Sequence, residues 1–168
     1  MSLETYAAES VNVALTLSSS ANSLVETIVA TGALAALNNN FSSIVGFADG
    51  SFVNGEREVD AYVKTVSADG RPSRTKLANK SGRVTLTLKQ ESPSNDVLSA
   101  IAQLDEKGTD GANGVFTLIV QDSSGRALMV ASDAWIVKQA TQEFATESSD
   151  REWMIDCGKL ETYVGGNN

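Results

Sequence analysis

The segment that decides the fold runs from Ser81 to Lys107 and reads SGRVTLTLKQESPSNDVLSAIAQLDEK. Apolar residues occupy every second position from Val84 to Leu88, with threonines between them, which is the repeat of a strand with one buried face. After Pro93, apolar residues recur at helical spacing, and Ser92 or Ser94 can cap the first turn. The segment therefore predicts one half-buried strand followed by one amphipathic helix over residues 93–107.

The rest of the chain predicts further short strands. Apolar and polar residues alternate over Ser10–Leu17 and Glu58–Val66, and VFTLIVQ and ALMVA flank DSSGR as in a hairpin. Ser132-Asp133 interrupts the apolar run that follows, which predicts a bulge. Residues 67–81 lack periodicity and predict an exposed, extended loop. Additional strands are expected at Leu24–Ala30, Ile44–Ala48, Glu152–Asp156 and Leu160–Val164, the last two as a terminal pair, whereas residues 31–40 could form a short helix or a loop.

Length and composition describe one domain that spans residues 1–168. The chain is 42% hydrophobic and 20% charged, which suits a single compact domain of mainly β structure, a β-sandwich or split β-barrel with one helix packed against it. The net charge of -8 argues against a general nucleic-acid or anionic-membrane binder. No secretory leader and no apolar run of the ~20 residues of a membrane span is found, so we expect a soluble protein made in the cytoplasm.

Few residues offer catalytic chemistry. The chain contains no histidine, which removes the usual general base, the commonest metal ligand and any Ser-His-Asp arrangement. Cys157 is the one cysteine and is expected to be an inert packing residue. Two nominal carboxylate pairs, Asp105 with Glu106 and Asp150 with Glu152, are better explained as solvated acids. We therefore expect no enzymatic activity, no cofactor and no metal.

The charges are distributed unevenly along the chain. Six basic residues and no acid fall between Arg71 and Lys89, whereas six acids and two bases fall between Glu143 and Glu161. The basic segment could be merely solvated, or it could grip nucleic acid, although no aromatic residue is interleaved for base stacking. A third interpretation is that it docks onto the acidic surface of a neighbouring copy, a head-to-tail contact that repeats if it does not close.

Residues 81–107, with REWMIDCGKLETYVGG at Arg151–Gly166, resemble the tail tube proteins of contractile-tailed (myovirus-type) bacteriophages. The resemblance lies in the run of Thr and Leu before SPSNDVLSA and in the closing Trp, Cys-Gly-Lys-Leu and Gly-Gly. It implies a structural virion protein whose subunits form hexameric rings with a continuous β-barrel lumen. The rings would stack into the inner tail tube, the conduit for DNA ejection during infection.

The resemblance also implies roles for particular segments. The inward sheet would include strands near Val84–Leu88 and Glu152–Leu160, and the helix would lie toward the subunit boundary and outer face. The loop around Asp69–Lys80 would reach an adjacent ring. The expected inter-ring residues are Arg71, Arg74, Lys76, Lys80 and Phe52, and those expected to pack subunits or sheets are Trp153, Tyr163, Leu98 and Ile101.

The partners implied are further copies of the chain, the tail sheath, baseplate and tail-terminator proteins, and a tape-measure protein in the lumen. DNA would pass without specific binding, because acidic side chains facing the bore repel phosphate; Lys89 would oppose that repulsion if it pointed inward. No membrane partner is expected, and the protein would belong to the virion tail after assembly in the host cytoplasm.

Other functions stay open at this point. The chain could be the tube protein of a phage-derived contractile injection device, either a bacteriocin or a secretion system. It could also be a monomeric ligand-binding β-sandwich or a carboxylate-dependent hydrolase.

Overall fold

The computed structural model describes residues 7–17, 41–109, 114–123 and 127–165. The described residues contain a short 3-10 turn (Ala8–Ser10), nine strands and one α-helix. The elements are β1 (Val11–Leu17), β2 (Phe41–Ile44), β3 (Val53–Arg57), β4 (Tyr62–Val66), β5 (Pro72–Lys76), β6 (Gly82–Lys89), α1 (Ser94–Lys107), β7 (Phe116–Asp122), β8 (Leu128–Lys138) and β9 (Asp150–Tyr163). The strand predicted at Leu24–Ala30 and the ambiguous residues 31–40 lie outside the described residues.

Seven of the strands form one curled sheet, a half-barrel. Its order is β2-β1-β7-β8-β9-β6-β3, and every neighbouring pair is antiparallel. The two long strands β8 and β9 lie near its middle. Because side chains alternate between the faces of a strand, one face of this sheet collects the apolar residues. The fold confirms the expectation of a mainly β domain with one helix.

Helix α1 covers the apolar face of the sheet and completes the core. Its buried residues include Leu98 and Ile101, both fully inaccessible, and they join one cluster with apolar residues of β1, β6, β7, β8 and β9. Burying a side chain of this size is worth about 1.5–3 kcal/mol. The helix therefore belongs to the interior of the subunit on one side and leaves only its polar side exposed.

The Ser-Pro-Ser sequence fixes the start of α1. Pro93 has helical dihedral angles, and the Ser94 N–H donates to Ser92 Oγ at 3.2 Å, as predicted for a Ser92 cap. Ser92 Oγ donates to the carbonyl of Val45, and the Val45 N–H donates to Ser94 Oγ at 2.9 Å. The two serines thus join the helix to the segment after β2, where Gly46 has a φ of +74° and its missing side chain leaves room for Ser92.

The C-terminal region differs from the prediction. The expected terminal strand pair is one continuous strand, β9, which pairs with β8 on one side and β6 on the other. The sequence pattern breaks because Asp133 of β8 has a φ of +51° and lies beside Gly158 of β9. The apolar face of both strands changes phase there without ending either strand, and the β7–β8 register slips, which confirms the irregularity predicted at Ser132-Asp133.

The segment expected to be an exposed loop is exposed but contains a strand. Residues Pro72–Lys76 form β5, which pairs with β4 in a hairpin separate from the main sheet. All ten residues of these two strands are exposed. Periodicity could not identify β5, because a hairpin that is solvated on both faces needs no alternation of apolar and polar residues.

Candidate self-assembly surfaces

Two opposite ends of the sheet carry contrasting surfaces. Strand β9 has fourteen residues, which corresponds to a length of roughly 45 Å at ~3.3 Å per residue. We call the side where β9 ends at Tyr163 the hairpin end, because the β4–β5 hairpin leaves the sheet there between β3 and β6. We call the side where β9 begins at Asp150 the loop end, because the loop of residues 139–149 joins β8 to β9 there.

The hairpin end carries the basic residues that the sequence singled out. Arg71, Arg74 and Lys76 lie on the β4–β5 hairpin, and all three are exposed. Arg71 pairs weakly with Asp69 at 3.3 Å, with 87% of its own side chain exposed. The Arg74 guanidinium carbon lies 4.4 Å from the centre of the Tyr62 ring. Lys80 lies at the base of the hairpin, next to β9.

The other two basic residues of the run belong to the sheet. Arg83 lies on β6 and donates from Nε and Nη2 to both carboxylate oxygens of Asp156 on β9, at 2.6 and 3.1 Å. This hydrogen bond and the charge of Asp156 raise the pKa of Arg83. Lys89 lies beside Asp150 in the β6–β9 register. The structure therefore divides the six-residue basic run into four hairpin residues and two sheet residues.

An apolar groove also opens at the hairpin end. It has a volume of about 430 Å³ and lies between β3, the ends of β7 and β9, and the start of β8. Val120, Leu128, Met129, Tyr163 and Val164 contribute its apolar wall. Leu128 is 40% exposed, Tyr163 68% and Val164 91%, so a substantial part of this wall faces solvent.

The loop end is built on a buried arginine. Arg151 of β9 is only 9% exposed, and its guanidinium donates to the carbonyls of Thr141 and Glu143, each at 2.8 Å. A third contact joins it to Ser149 Oγ at 3.3 Å. These bonds hold a loop of irregular backbone in one shape, and at its centre Phe144 projects with 81% of its surface exposed.

Gln90 and Glu91, which follow β6, support the same loop. The N–H of Ser149 donates to Gln90 Oε1 at 3.2 Å. A side-chain hydrogen bond with Ser148 lowers the pKa of Glu91. Both ends of the loop are therefore fastened to the sheet, which could not be predicted from the sequence beyond one phenylalanine in a polar stretch.

The acidic run is divided in the same way as the basic run. Asp156 is engaged by Arg83, and Glu161 pairs with Lys159 at 2.8 Å, a hydrogen bond that lowers the pKa of Glu161. Glu143 and Glu147 lie exposed on the loop beside Phe144. Two exposed acids of this run, Glu143 and Glu147, thus lie at the loop end, opposite the basic residues of the hairpin.

Over β3, β6 and the Asp150–Asp156 part of β9, the face of the sheet that points away from α1 is polar and weakly acidic. The register and the burial pattern place four acids and two bases on this part of the face, namely Glu56, Asp150, Glu152, Asp156, Arg83 and Lys89. Thr85 and Thr87 lie between them. The face therefore has a formal charge of about -2 over these strands, with Lys89 among its members.

The other residues predicted to take part in assembly divide between the core and the surface of the subunit. Leu98, Ile101 and Trp153 belong to the core of the subunit, and Trp153 Nε1 donates to Asn95 Oδ1 at 3.0 Å. Phe52 is partly buried, with its ring centre 4.9 Å from that of Phe47, and it precedes β3 rather than lying on the hairpin. Tyr163, by contrast, is on the surface, at the rim of the groove.

Both border strands of the half-barrel have a free side within the described part of the chain. Strand β2 pairs with β1 alone, and β3 pairs with β6 alone. Such borders present unpaired N–H and C=O groups that can continue a sheet into another molecule.

Within the described residues, no helix has the length and apolar character needed to cross a membrane. Nor does that part of the chain contain a group of three or more Cys, Asp or Glu side chains arranged to hold a metal ion. Cys157 is buried, donates its thiol to the Gly82 carbonyl at 3.4 Å, and has a pKa raised by burial, as expected for a packing residue.

Comparison with solved structures finds the same fold in assembled tails and injection systems. A chain in the C6-symmetric tail of an empty gene transfer agent particle matches with a TM-score of 0.54 at 12% identity, covering 95% of this chain and 100% of that one. A chain in the sheath/tube terminator of the extracellular contractile injection system PVC matches with a TM-score of 0.54 at 7% identity, covering 96% and 99%.

Sequence comparison gives the family. The family model of the bacteriophage PhiTE tail tube protein matches residues 19–165. Structural protein ORF10 of Pseudomonas phage KPP10 is 34% identical over 125 residues, which are 74% of this chain and 72% of the relative. The chain therefore belongs to the PhiTE family of phage tail tube proteins and is a structural component of a tail tube.

Proposed function

We propose that this tail tube protein forms hexameric rings whose sheets join into one β-barrel around a central channel, and that the rings stack into the tube through which DNA is ejected. The observation that carries the proposal is the half-barrel whose border strands, β2 and β3, each have a free side within the described residues. A ring satisfies both borders of every subunit at once, which a monomer cannot do.

The free side of β3 is identified by its hydrogen-bond register. The carbonyl of Phe52 accepts from Thr87, and the N–H of Glu58 donates to Ser81. Because backbone groups alternate in direction along an antiparallel strand, the N–H groups of Val53, Gly55 and Arg57 point away from β6. These three residues are the ones that a strand of the next subunit would meet.

Stacking uses the contrast between the two ends of the subunit. The basic hairpin lies at one end and the acidic 139–149 loop at the other, so successive rings in the same orientation bring opposite charges together. Such a contact is heterologous and repeats without closing, which produces a filament. Arg71, Arg74, Lys76 and Lys80 act at this contact, and Tyr163 lies at the same boundary.

The polar face of β3, β6 and β9 lines the channel in this arrangement. Its threonines and its weak negative charge offer DNA no cluster of cations, so the duplex passes without being retained. The outer side of the tube, which includes the polar side of α1, is left for the sheath. Baseplate, terminator and tape-measure proteins are the remaining partners, and the assembled protein belongs to the virion tail after assembly in the host cytoplasm.

The test is a proline that removes one outward N–H from β3. Val53→Pro deletes a group that faces the next subunit, and proline is tolerated at such a border. Val53→Thr is the matched control that keeps the N–H, and Asn54→Pro removes an N–H bonded to β6 instead. Circular dichroism, sedimentation velocity and negative-stain microscopy follow folding and assembly.

We expect Val53→Pro to fold but to form no rings, Val53→Thr to form rings and stacked tubes as the unmodified chain does, and Asn54→Pro to lose stability of the subunit itself. Rings of Val53→Pro at the protein concentration that suffices for the unmodified chain would contradict the proposed role of β3.

A further inference from the structure

Two apolar features of the surface lie at opposite ends of the subunit. Phe144 projects from the loop end with 81% of its surface exposed, in a loop that Arg151 holds rigid. The apolar groove of about 430 Å³ opens at the hairpin end. Aromatic residues that enter apolar pockets are typical of the centres of protein interfaces.

We propose that Phe144 of each copy inserts into the hairpin-end groove of a copy in the next ring. The inference rests on the proposed function, because it assigns the apolar centre of the stacking contact whose charged part is the basic hairpin. The occupant of the groove is a second copy of this chain. Phe144, which we call the knob, and the groove lie at opposite ends of one subunit, so the knobs of one ring can fill the grooves of the next.

Charge complementarity supports this choice of occupant. The knob is accompanied by the exposed Glu143 and Glu147, and the groove lining includes Glu56 and Arg57 at the end of β3, after which the chain continues into the basic hairpin. Docking Phe144 in the groove therefore places the acids of one copy near the bases of the other. This arrangement has an apolar centre and a charged rim, which is the usual anatomy of an interface.

The volume of the groove also suits an aromatic side chain. A groove of this size accommodates one aromatic side chain together with part of the loop that carries it, and its wall contains Met129, a flexible side chain that adapts to the shape of a partner. The rim residues Leu128, Tyr163 and Val164 lose their solvent exposure when the groove is filled. Removing the ring of Phe144 should therefore raise the protein concentration needed for stacking about ten- to thirty-fold.

Cysteine cross-linking tests the contact directly. Chains with Ala145→Cys, an exposed neighbour that leaves the Phe144 ring in place, are mixed with chains carrying Leu128→Cys, allowed to assemble, and oxidised. The native Cys157 is buried and contributes little background. Mixing Ala145→Cys with Val137→Cys is the matched control, because Val137 is 48% exposed on the same strand as Leu128 but lies outside the groove.

We expect disulfide-linked dimers to approach about half of the chains of the first mixture, the statistical limit when each chain meets a complementary cysteine in half of the contacts, and few in the control or in any single variant. Phe144→Ala should form rings that do not stack at the ordinary concentration. Tubes of Phe144→Ala at that concentration, together with no dimers above the control, would overturn the inference while leaving ring formation intact. If Leu128→Glu alone prevented stacking and Phe144→Ala did not, the groove would receive another segment and the inference would again be wrong. Absence of rings in the unmodified protein would instead overturn the proposed function.

Discussion

Replacing Arg151 with methionine tests how the loop end is held. The arginine is almost fully buried, and its two main-chain hydrogen bonds at 2.8 Å fix Thr141 and Glu143. A hydrogen bond that involves a charged group contributes about 1.5–3 kcal/mol. The two carbonyls belong to exposed residues and can bind water once released, so we expect Arg151→Met to lower the free energy of unfolding by about 2–3 kcal/mol rather than by the sum of both bonds.

Urea denaturation of the dissociated subunit measures this loss. With a slope of about 1–3 kcal/mol per molar urea, the midpoint should fall by roughly 1 M. Arg83→Met is the matched control, because Arg83 also makes two hydrogen bonds but is 41% exposed on its side chain; its loss should be much smaller. Equal losses in the two variants would refute the role assigned to Arg151.

Assembly gives a second assay of the same variant. Arg151→Met releases the loop that presents Phe144, so amide hydrogen exchange in residues 139–149 should increase well beyond that in the rest of the sheet. Ring formation should persist, because β3 is unchanged, while stacking should weaken. A variant that stacked normally despite a freely exchanging loop would show that the rigidity of the loop is irrelevant to assembly.

Three further predictions concern the backbone, pH and salt. Gly46→Ala should destabilise the fold by more than Gly70→Ala in thermal unfolding, because both glycines have positive φ but only the Gly46 methyl group would fall 2.6 Å from a serine oxygen; equal losses would contradict this explanation. The Glu91 pKa lies below its ordinary value of 4.5 because of the hydrogen bond with Ser148, so the stability that this contact adds is present at neutral pH and is lost as pH falls below 4.5. Amide hydrogen exchange of the 139–149 loop should rise in that acidic range before the subunit unfolds. Exchange that did not change with pH would count against the contact. The rate of tube elongation, followed by light scattering, should fall roughly several-fold from low to high salt, because the charges of the hairpin and the loop are exposed and dissolved ions screen their attraction. An unchanged rate would argue against charge-guided stacking.

The strands and the helix that form the core could be predicted from the sequence. In β6 and α1 one face is buried, so the alternation of residues carries the information directly. The irregularity in β8 and β9 is the reason why the sequence pattern wrongly predicted two terminal strands instead of one. Asp133 and Gly158 change which face is apolar without ending either strand, and a local pattern cannot distinguish that change from a turn.

The surfaces were harder to predict than the core. The charge contrast was visible in the sequence, and the hairpin does collect Arg71, Arg74, Lys76 and Lys80. The groove was not visible, because it is formed by residues that only the curl of the sheet brings together. The role of Arg151 was equally hidden, since the carbonyls it binds are present in every residue and leave no mark on the sequence.

The central claim is that the borders of the half-barrel are completed by identical copies. A cryo-EM reconstruction of the tubes formed by the purified protein tests this claim most directly. The account predicts six subunits around a hollow channel, with the outward N–H groups of β3 hydrogen-bonded to a strand of the neighbouring subunit. Subunits that touch only through side chains, with β3 left open to solvent, would contradict it.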